Sequence, residues 1–430
     1  MDTTTYIKEQ FDRLQAAEKN STLSATRQQA FDAFNKMGIP TTRHEEWKYT
    51  RIGGLFNKTF EMPVGAPATI SIDAFRLPGY EAANELVFIN GQYSAGLSTI
   101  RSAELKVLPI EEALRNEYKE TVDKHFGHSA QYLKDGIHAL NTAFVQNGAV
   151  FIAVGKGKIT SHPVYIYNIT NGQVLASPRS LVHLAEHSQI QIVETFATLG
   201  KDESFTNQVM EIVVEKDAIL EYYKIQNDGI QASQVSTTHI RHTGKSYSHA
   251  VTISLNGGIV RNNTNVVMEA AYCEAHLYGL YFSKGNSHID NHTVVDNVMP
   301  NCLSNELYKG MLDDNSTGVF NGKIFVQQPA QKTNAFQSNK NVLLSDNASI
   351  NTKPQLEIFA DDVKCSHGCT VGRLDEEGLF YLQSRGVPEK IAKAMLLRGF
   401  AGDILDKIKL EPIRAYVDRL IADRLEFEIA

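Results

Sequence analysis

Asp361 to Gly386 reads D-D-V-K-C-S-H-G-C-T-V-G-R-L-D-E-E-G-L-F-Y-L-Q-S-R-G, and the chain changes character across it. Upstream lie short β-like runs; downstream, helical periodicity continues to the last residues. If Val363–Val371 is extended, side chains alternate across the strand, and Cys365, His367 and Cys369 share one face. Two soft sulfurs and an imidazole on one face can hold iron, zinc or a transient sulfur species. The same spacing also suits two small buried cysteines beside a surface histidine. C-x-H-x-C is not a standard zinc spacing, and three ligands leave a tetrahedral site incomplete.

Working upstream, strand-sized runs recur at 164–168, 180–184, 189–195, 209–214, 219–225, 236–241, 249–254, 264–268 and 276–282. They continue at 318–327, 335–339, 341–344 and 355–359, with no helix of ten residues between them. Such a series is a sandwich, a pair of barrels or a solenoid. Unequal runs without a strict repeat suit a solenoid of unequal coils. Asparagines expected at the turns (256, 262, 263, 265, 286, 291, 297, 301 and 305) favour the same reading. At the upstream end, Asn147-Gly148 between Phe144–Gln146 and Ala149–Val154 predicts a tight hairpin.

The first forty residues predict two helices. Tyr6, Ile7, Phe11 and Leu14 mark the first; Ser24 is a candidate N-cap for the second, which carries Phe31, Phe34 and Met37. Thr42–Thr50 holds the single tryptophan and is too dense in charge for a core strand, so it reads as a loop anchored by Trp47 and Tyr49. A strand is expected at Leu86–Ile89, and helical runs around Ile110–Tyr118. Past the seam, Asp375 can cap a helix that Gly386 ends. Pro388 and Pro412 open two more. The last carries Ile413, Tyr416, Val417, Leu420 and Ile421 as one stripe, with Arg414–Asp418 and Arg419–Asp423 as candidate ion pairs. The expected organisation is a largely helical region at 1–135, a β region at 136–372 and a helical region at 373–430.

Composition narrows the function. The formal charge of −7 and pI near 6.1 give no basic face for nucleic acid. The densest apolar run, Ala149–Val154, is far too short to span a membrane. The start, M-D-T-T-T-Y-I-K-E-Q, lacks a signal peptide's basic and apolar segments, and four irregularly spaced cysteines make no disulfide framework, so the cytoplasm is expected. His242-Thr243-Gly244-Lys245-Ser246 approaches a P-loop, but position 239 is histidine rather than glycine. No G-x-S-x-G elbow or H-E-x-x-H helix occurs. His288, Asp290 and His292 alternate and could ligate metal, although a polar ladder on a sheet face fits better.

The motifs taken together resemble one family. R-H-E-E-W-K-Y-T (43–50), L-N-G-G-I-V-R-N-N (255–263) and G-L-Y-F-S-K-G-N-S-H-I-D-N-H-T (279–293) occur in order. C-L-S-N-E-L-Y-K-G (302–310), G-V-F-N-G-K-I-F-V (318–326), A-Q-K-T-N-A-F-Q-S-N-K-N-V-L-L-S (330–345) and P-Q-L-E-I-F-A-D-D-V-K-C-S-H-G-C-T-V-G (354–372) follow. Across nearly its whole length the chain resembles the SufB/SufD family of the SUF iron–sulfur cluster assembly system. S-H-G after Cys365, rather than S-H-E, points to the SufD branch. The resemblance implies a mainly β fold: a right-handed parallel β-helix flanked by N-terminal and C-terminal helical domains.

It further implies a non-catalytic subunit that pairs with SufB through the β-helix and docks the ATPase SufC on its C-terminal helices. Cys365 and His367 match the interface residues where a transient iron–sulfur cluster or iron would be held, with no stably bound cofactor expected. Cys369 stands where the family has alanine, and Asn297 where it has histidine; Cys369 is retained as a third candidate ligand by spacing alone. A SufB-like principal scaffold, a homodimer in isolation and a solenoid enzyme acting on polysaccharide are the alternatives. Membrane and nucleic-acid partners are not expected.

Overall fold

The computed structural model describes residues 3–65, 67, 69–146 and 148–426. Twenty strands occur among them. β1 (Asn84–Ile89), β2 (Gln92–Tyr93), β3 (Leu105–Pro109) and β4 (Val150–Val154) come first. β5 (Val164–Asn171), β6 (Leu175–Ala176), β7 (Arg179–Leu184), β8 (Gln189–Leu199) and β9 (Ser204–Val214) follow. Then come β10 (Ile219–Asn227), β11 (Ala232–His242), β12 (Tyr247–Asn256), β13 (Ile259–Met268) and β14 (Glu274–Ser283). The series ends with β15 (His288–Asn297), β16 (Leu303–Leu312), β17 (Thr317–Val326), β18 (Asn334–Leu343), β19 (Ser349–Ile358) and β20 (Lys364–Gly372).

From β8 onward every strand pairs in parallel with the strand two places along, so even-numbered strands build one sheet and odd-numbered strands the other. The result is a β-solenoid of about eight turns. Its coils differ in length: Tyr247 lies beside Glu274, 27 residues on, whereas Leu303 lies beside Asn334, 31 residues on. That variation explains why the sequence shows no strict repeat.

Both outer faces are covered. Against the odd sheet pack α1 (Thr3–Ala17), α2 (Ser24–Met37) and a buried Trp47, with Phe205 and Val235 supplied by the strands. The short α3 (Ile110–Ala113) and α4 (Lys119–His125) lie nearby, and α5 (Gly136–Ala143) packs on α2. On the even sheet, Tyr223, Val251, Ile253, Leu280 and Met311 meet helices of the C-terminal region. These are α6 (Glu376–Ser384), α7 (Glu389–Leu405) and α8 (Glu411–Arg424), of which α7 and α8 bury against the sheet. Strands buried on both faces lose clean polar–apolar alternation, as parallel sheets do.

Several local expectations change. Phe144 ends α5 instead of beginning a hairpin arm, and β4 pairs antiparallel with β3; Asn147 of the expected turn lies outside the described residues. Ser24 lies inside α2, whose N-cap position is Leu23. Of the nine asparagines expected at turns, only Asn286 and Asn301 lie there; the rest are in strands. Residues 335–344 contribute one strand rather than two. Asp418 pairs with Arg398 at 2.6 Å from the preceding helix, and Arg414 with Glu411.

Inside the coils, large and absent side chains interlock. Gly279 stands beside Tyr308 and Tyr281 beside Gly310 on adjacent rungs. A β-carbon on Gly279 would meet the Tyr308 ring at 2.1 Å, and one on Gly310 the Tyr281 ring at 2.3 Å. Overpacking a core by a few atoms costs about 1–3 kcal/mol. Gly279→Val is therefore expected to lower the urea midpoint of unfolding by a corresponding amount, more than the same change at the open Gly372. Equal midpoints for the two variants would show that the rings move aside freely.

Candidate functional site

Ordinary solenoid coils are filled with aliphatic residues, and the first coils here follow that pattern with Ile190, Ile192, Ile212 and Val214. Further along these same strands, and in the coils that follow, the interior turns polar. Asn168 Nδ2 donates to Glu194 Oε1 at 3.0 Å, and the Tyr222 hydroxyl donates to the other carboxylate oxygen. Lys224 Nζ, 4.0 Å from Glu194, donates to Ser236 Oγ at 2.9 Å and Thr238 Oγ1 at 3.0 Å. Ser236 Oγ donates to Asn262 Oδ1 at 2.8 Å, and Asn262 Nδ2 to Asn291 Oδ1 at 3.1 Å. All these side chains are buried. Burial pushes the Lys224 ammonium down to about 8, against the pull of Glu194.

Nearer the last coil the lumen holds Glu306, whose Oε2 accepts from Gln337 Nε2 at 2.8 Å. Burial raises the Glu306 carboxyl to about 7. Gln337 in turn stands in register with His367 on β20. The polar column of the interior thus runs up to the terminal strand.

β20 and β19 are the last strands of their sheets, each hydrogen-bonded on one side only. Cys365 stands beside Ala335, a core residue, and packs on the edge of the interior cluster. His367 and Cys369 follow on the same face by strand alternation, so all three candidates point toward the open end of the lumen. Cys365 is half-buried, while His367 and Cys369 are exposed. A rise of about 3.3 Å per residue puts neighbouring candidates about 6.6 Å apart and the two cysteines about 13 Å apart along the strand. Cys365 and His367 can reach one ion; Cys365 and Cys369 cannot share one without an intervening cluster. Burial pushes the Cys365 thiol above its ordinary range, so binding soft metal there requires release of its proton.

Two apolar surfaces flank this end. Phe359, just past β19, is 58% exposed, and Phe336, Ile358 and Val371 are exposed around the rim. Separately, α6 buries no residue: Phe380 is 71% exposed and Tyr381 58%, with Ile391 and Met395 exposed on α7. The predicted stripe on α8 behaves otherwise. Ile413, Val417 and Ile421 are fully buried against the even sheet and close the C-terminal bundle. Sequence reading did not find the α6 surface, because two adjacent aromatics in a short helix make no stripe.

His288, Asp290 and His292 form the polar ladder that their alternation suggests. Asp290 pairs with Arg261 at 2.8 Å and with His292 at 3.0 Å, and accepts from the Thr50 hydroxyl at 2.5 Å. Arg261 stacks on Trp47, 3.9 Å from its ring, so the ladder anchors the N-terminal loop to the solenoid. Nearby lies a cavity of about 740 Å³ between residues 36–47, residues 131–136 and the odd sheet. Its carboxylates are engaged: Asp296 accepts from Tyr132 at 2.9 Å and Gln327 at 2.8 Å, and Glu46 pairs with Lys323 at 2.5 Å. Among the described residues no helix is long and apolar enough to cross a membrane.

Comparison with known proteins gives a consistent family. Residues 167–400 match the SUF system FeS cluster assembly, SufBD core domain, and residues 3–166 match the SufBD protein N-terminal region. The chain is 29% identical to the iron-sulfur cluster assembly protein SufD of Escherichia coli, covering 93% of this chain and 92% of that one. It is 28% identical to an iron-sulfur cluster assembly SufBD family protein of Synechocystis, covering 97% and 94%. The SufD protein of Bacillus subtilis is 25% identical over 72% of each chain.

Proposed function

As the chain belongs to the SufBD family of iron–sulfur cluster assembly proteins, we propose that it acts as a SufD-type, non-catalytic subunit of a SufB–SufC–SufD scaffold. In this reading SufB adds to the open end of the solenoid, and the nascent cluster, as cargo, is held by Cys365 and His367 with ligands from SufB. The observation that carries it is the coincidence of three features at one end of the molecule. Two parallel strand edges are unpaired there, exposed apolar residues rim them, and one of the two strands carries a sulfur–imidazole pair. An unpaired strand edge is a template for another chain, and thiolate and imidazole are both cluster ligands. Cys365 and His367 leave coordination positions open, which a partner's ligands fill. The exposed face of α6 and α7 is assigned to SufC, an ATPase that supplies the nucleotide chemistry.

Separate disruption of the two surfaces tests the assignment. Phe359→Asp is expected to weaken SufB capture, and Phe380→Asp SufC capture, each by roughly tenfold or more, as removal of a central interface aromatic does. Each variant should leave the other partner's binding intact. Binding of both partners at wild-type strength by both variants would refute this geometry. A chain that forms only homodimers in the presence of SufB would favour the self-paired alternative.

A further inference from the structure

The residues standing directly before β10, β12, β14, β16, β18 and β20 are Ala218, Ser246, Cys273, Cys302, Thr333 and Val363. All are small, and they form a column down one corner of the solenoid. The parallel ladder runs through this corner: Glu274 N donates to Ser246 O at 3.0 Å, Leu303 N to Cys273 O at 2.9 Å, and Asn334 N to Cys302 O at 2.9 Å. Cys273 and Cys302 therefore occupy the same position on consecutive rungs. In-register neighbours on adjacent strands lie about 4.8 Å apart, inside the window of about 4.4–6.8 Å between α-carbons that a disulfide requires. Their side chains converge as well. Cys273 Sγ lies 3.1 Å and Cys302 Sγ 3.3 Å from one acceptor, the carbonyl oxygen of Ala270.

We infer that Cys273 and Cys302 are a redox-active pair that closes a reversible disulfide across two coils. Both thiols are buried, but each lies one residue inside a turn. Tyr272 and Asn301, which precede them, adopt left-handed conformations at φ +63° and +60°, and Tyr272 is 61% exposed. A small oxidant has only that turn to cross. The oxidant class is a hydroperoxide. One thiolate attacks a peroxide oxygen, the O–O bond breaks, and the departing oxygen leaves as water after taking a proton. The second thiol then attacks the resulting sulfenic sulfur, forming the S–S bond and expelling the hydroxyl as a second water. The two thiols give up two electrons and two protons, and hydrogen peroxide becomes two waters.

The experiment uses the full chain, as wild type and with Cys365→Ser and Cys369→Ser, which leaves only the inner pair. Native protein is treated with hydrogen peroxide, quenched, unfolded and alkylated, then mapped by mass spectrometry without reduction. The expected result is loss of both remaining thiols, a peptide linking residues 273 and 302, and a chain mass lower by two hydrogen atoms. Dithiothreitol should restore both thiols, and Cys273→Ser should abolish the linked peptide. Alkylation of both Cys273 and Cys302 after oxidation in both proteins, or stepwise oxygen addition to each of these sulfurs without the linked peptide, would overturn the inference.

Discussion

Anaerobic reconstitution of the SufB–SufC–SufD complex with iron and sulfide should fall sharply when Cys365 and His367 are both replaced by alanine. Loss of even outer-shell partners lowers metal affinity by roughly 10–100-fold, and removal of ligands themselves should cost at least the lower figure. The single variants are expected to reduce cluster yield without dissolving the complex. Cys369→Ala should have the smallest effect, since its strand position lies about 13 Å from Cys365. Loading through Cys365 also carries a pH signature. Burial raises the thiol above its ordinary range, so the thiolate fraction, and with it the rate of loading, should climb as pH rises past neutrality. Cluster content is read by visible absorption and by iron and sulfide analysis. Wild-type yield from the double variant in an intact complex would make both residues structural.

Glu306→Gln is expected to change the pH dependence of stability. The Glu306 carboxyl titrates near pH 7 when folded, raised by burial from an ordinary value of 4.5. Between those values the unfolded chain releases its proton while the folded chain keeps it, so stability falls as pH rises through this window. The full difference is about 3 kcal/mol above pH 7. Glutamine retains the carbonyl oxygen that accepts from Gln337 Nε2 but carries no ionisable proton. Unfolding midpoints at pH 5 and pH 8 should therefore differ by less in the variant, which should be the more stable protein at pH 8. An identical pH slope in both proteins would mean that Glu306 is solvated in the folded state.

The β-series was legible because most strands keep enough Val, Ile and aromatic residues to stand out between turns. β16 escaped notice for a physical reason. Its inward residues include Ser304, Glu306 and Gly310, while outward Leu307 and Met311 meet the C-terminal helices. Neither face therefore reads as an apolar stripe. Asparagines misled in the same way: Asn262 and Asn291 serve as interior hydrogen-bonding groups, and their type alone suggests a turn. The alternation of Cys365, His367 and Cys369 was readable from spacing, but that they face the lumen depends on the register with Ala335 one coil earlier in the chain. The false hairpin at Asn147-Gly148 shows the limit of a dipeptide signal when a helix supplies the preceding residues.

The polar interior has a meaning for assembly of the fold itself. Stacked aliphatic coils are interchangeable: any rung could settle on any other and bury the same surface. Here Lys224 finds hydroxyl partners on β11, Asn262 amide partners on β10 and β15, and Glu306 its amide donor on β18. A coil that skipped or slipped a rung would strand these groups without partners, at about 1–3 kcal/mol for each orphaned buried atom. The hydrogen bonds act as addresses, each specifying which neighbour may come next. Chain order is thereby proofread from within, and the address column extends to Gln337, in register with the His367 rung, where the stack lies open to another protein.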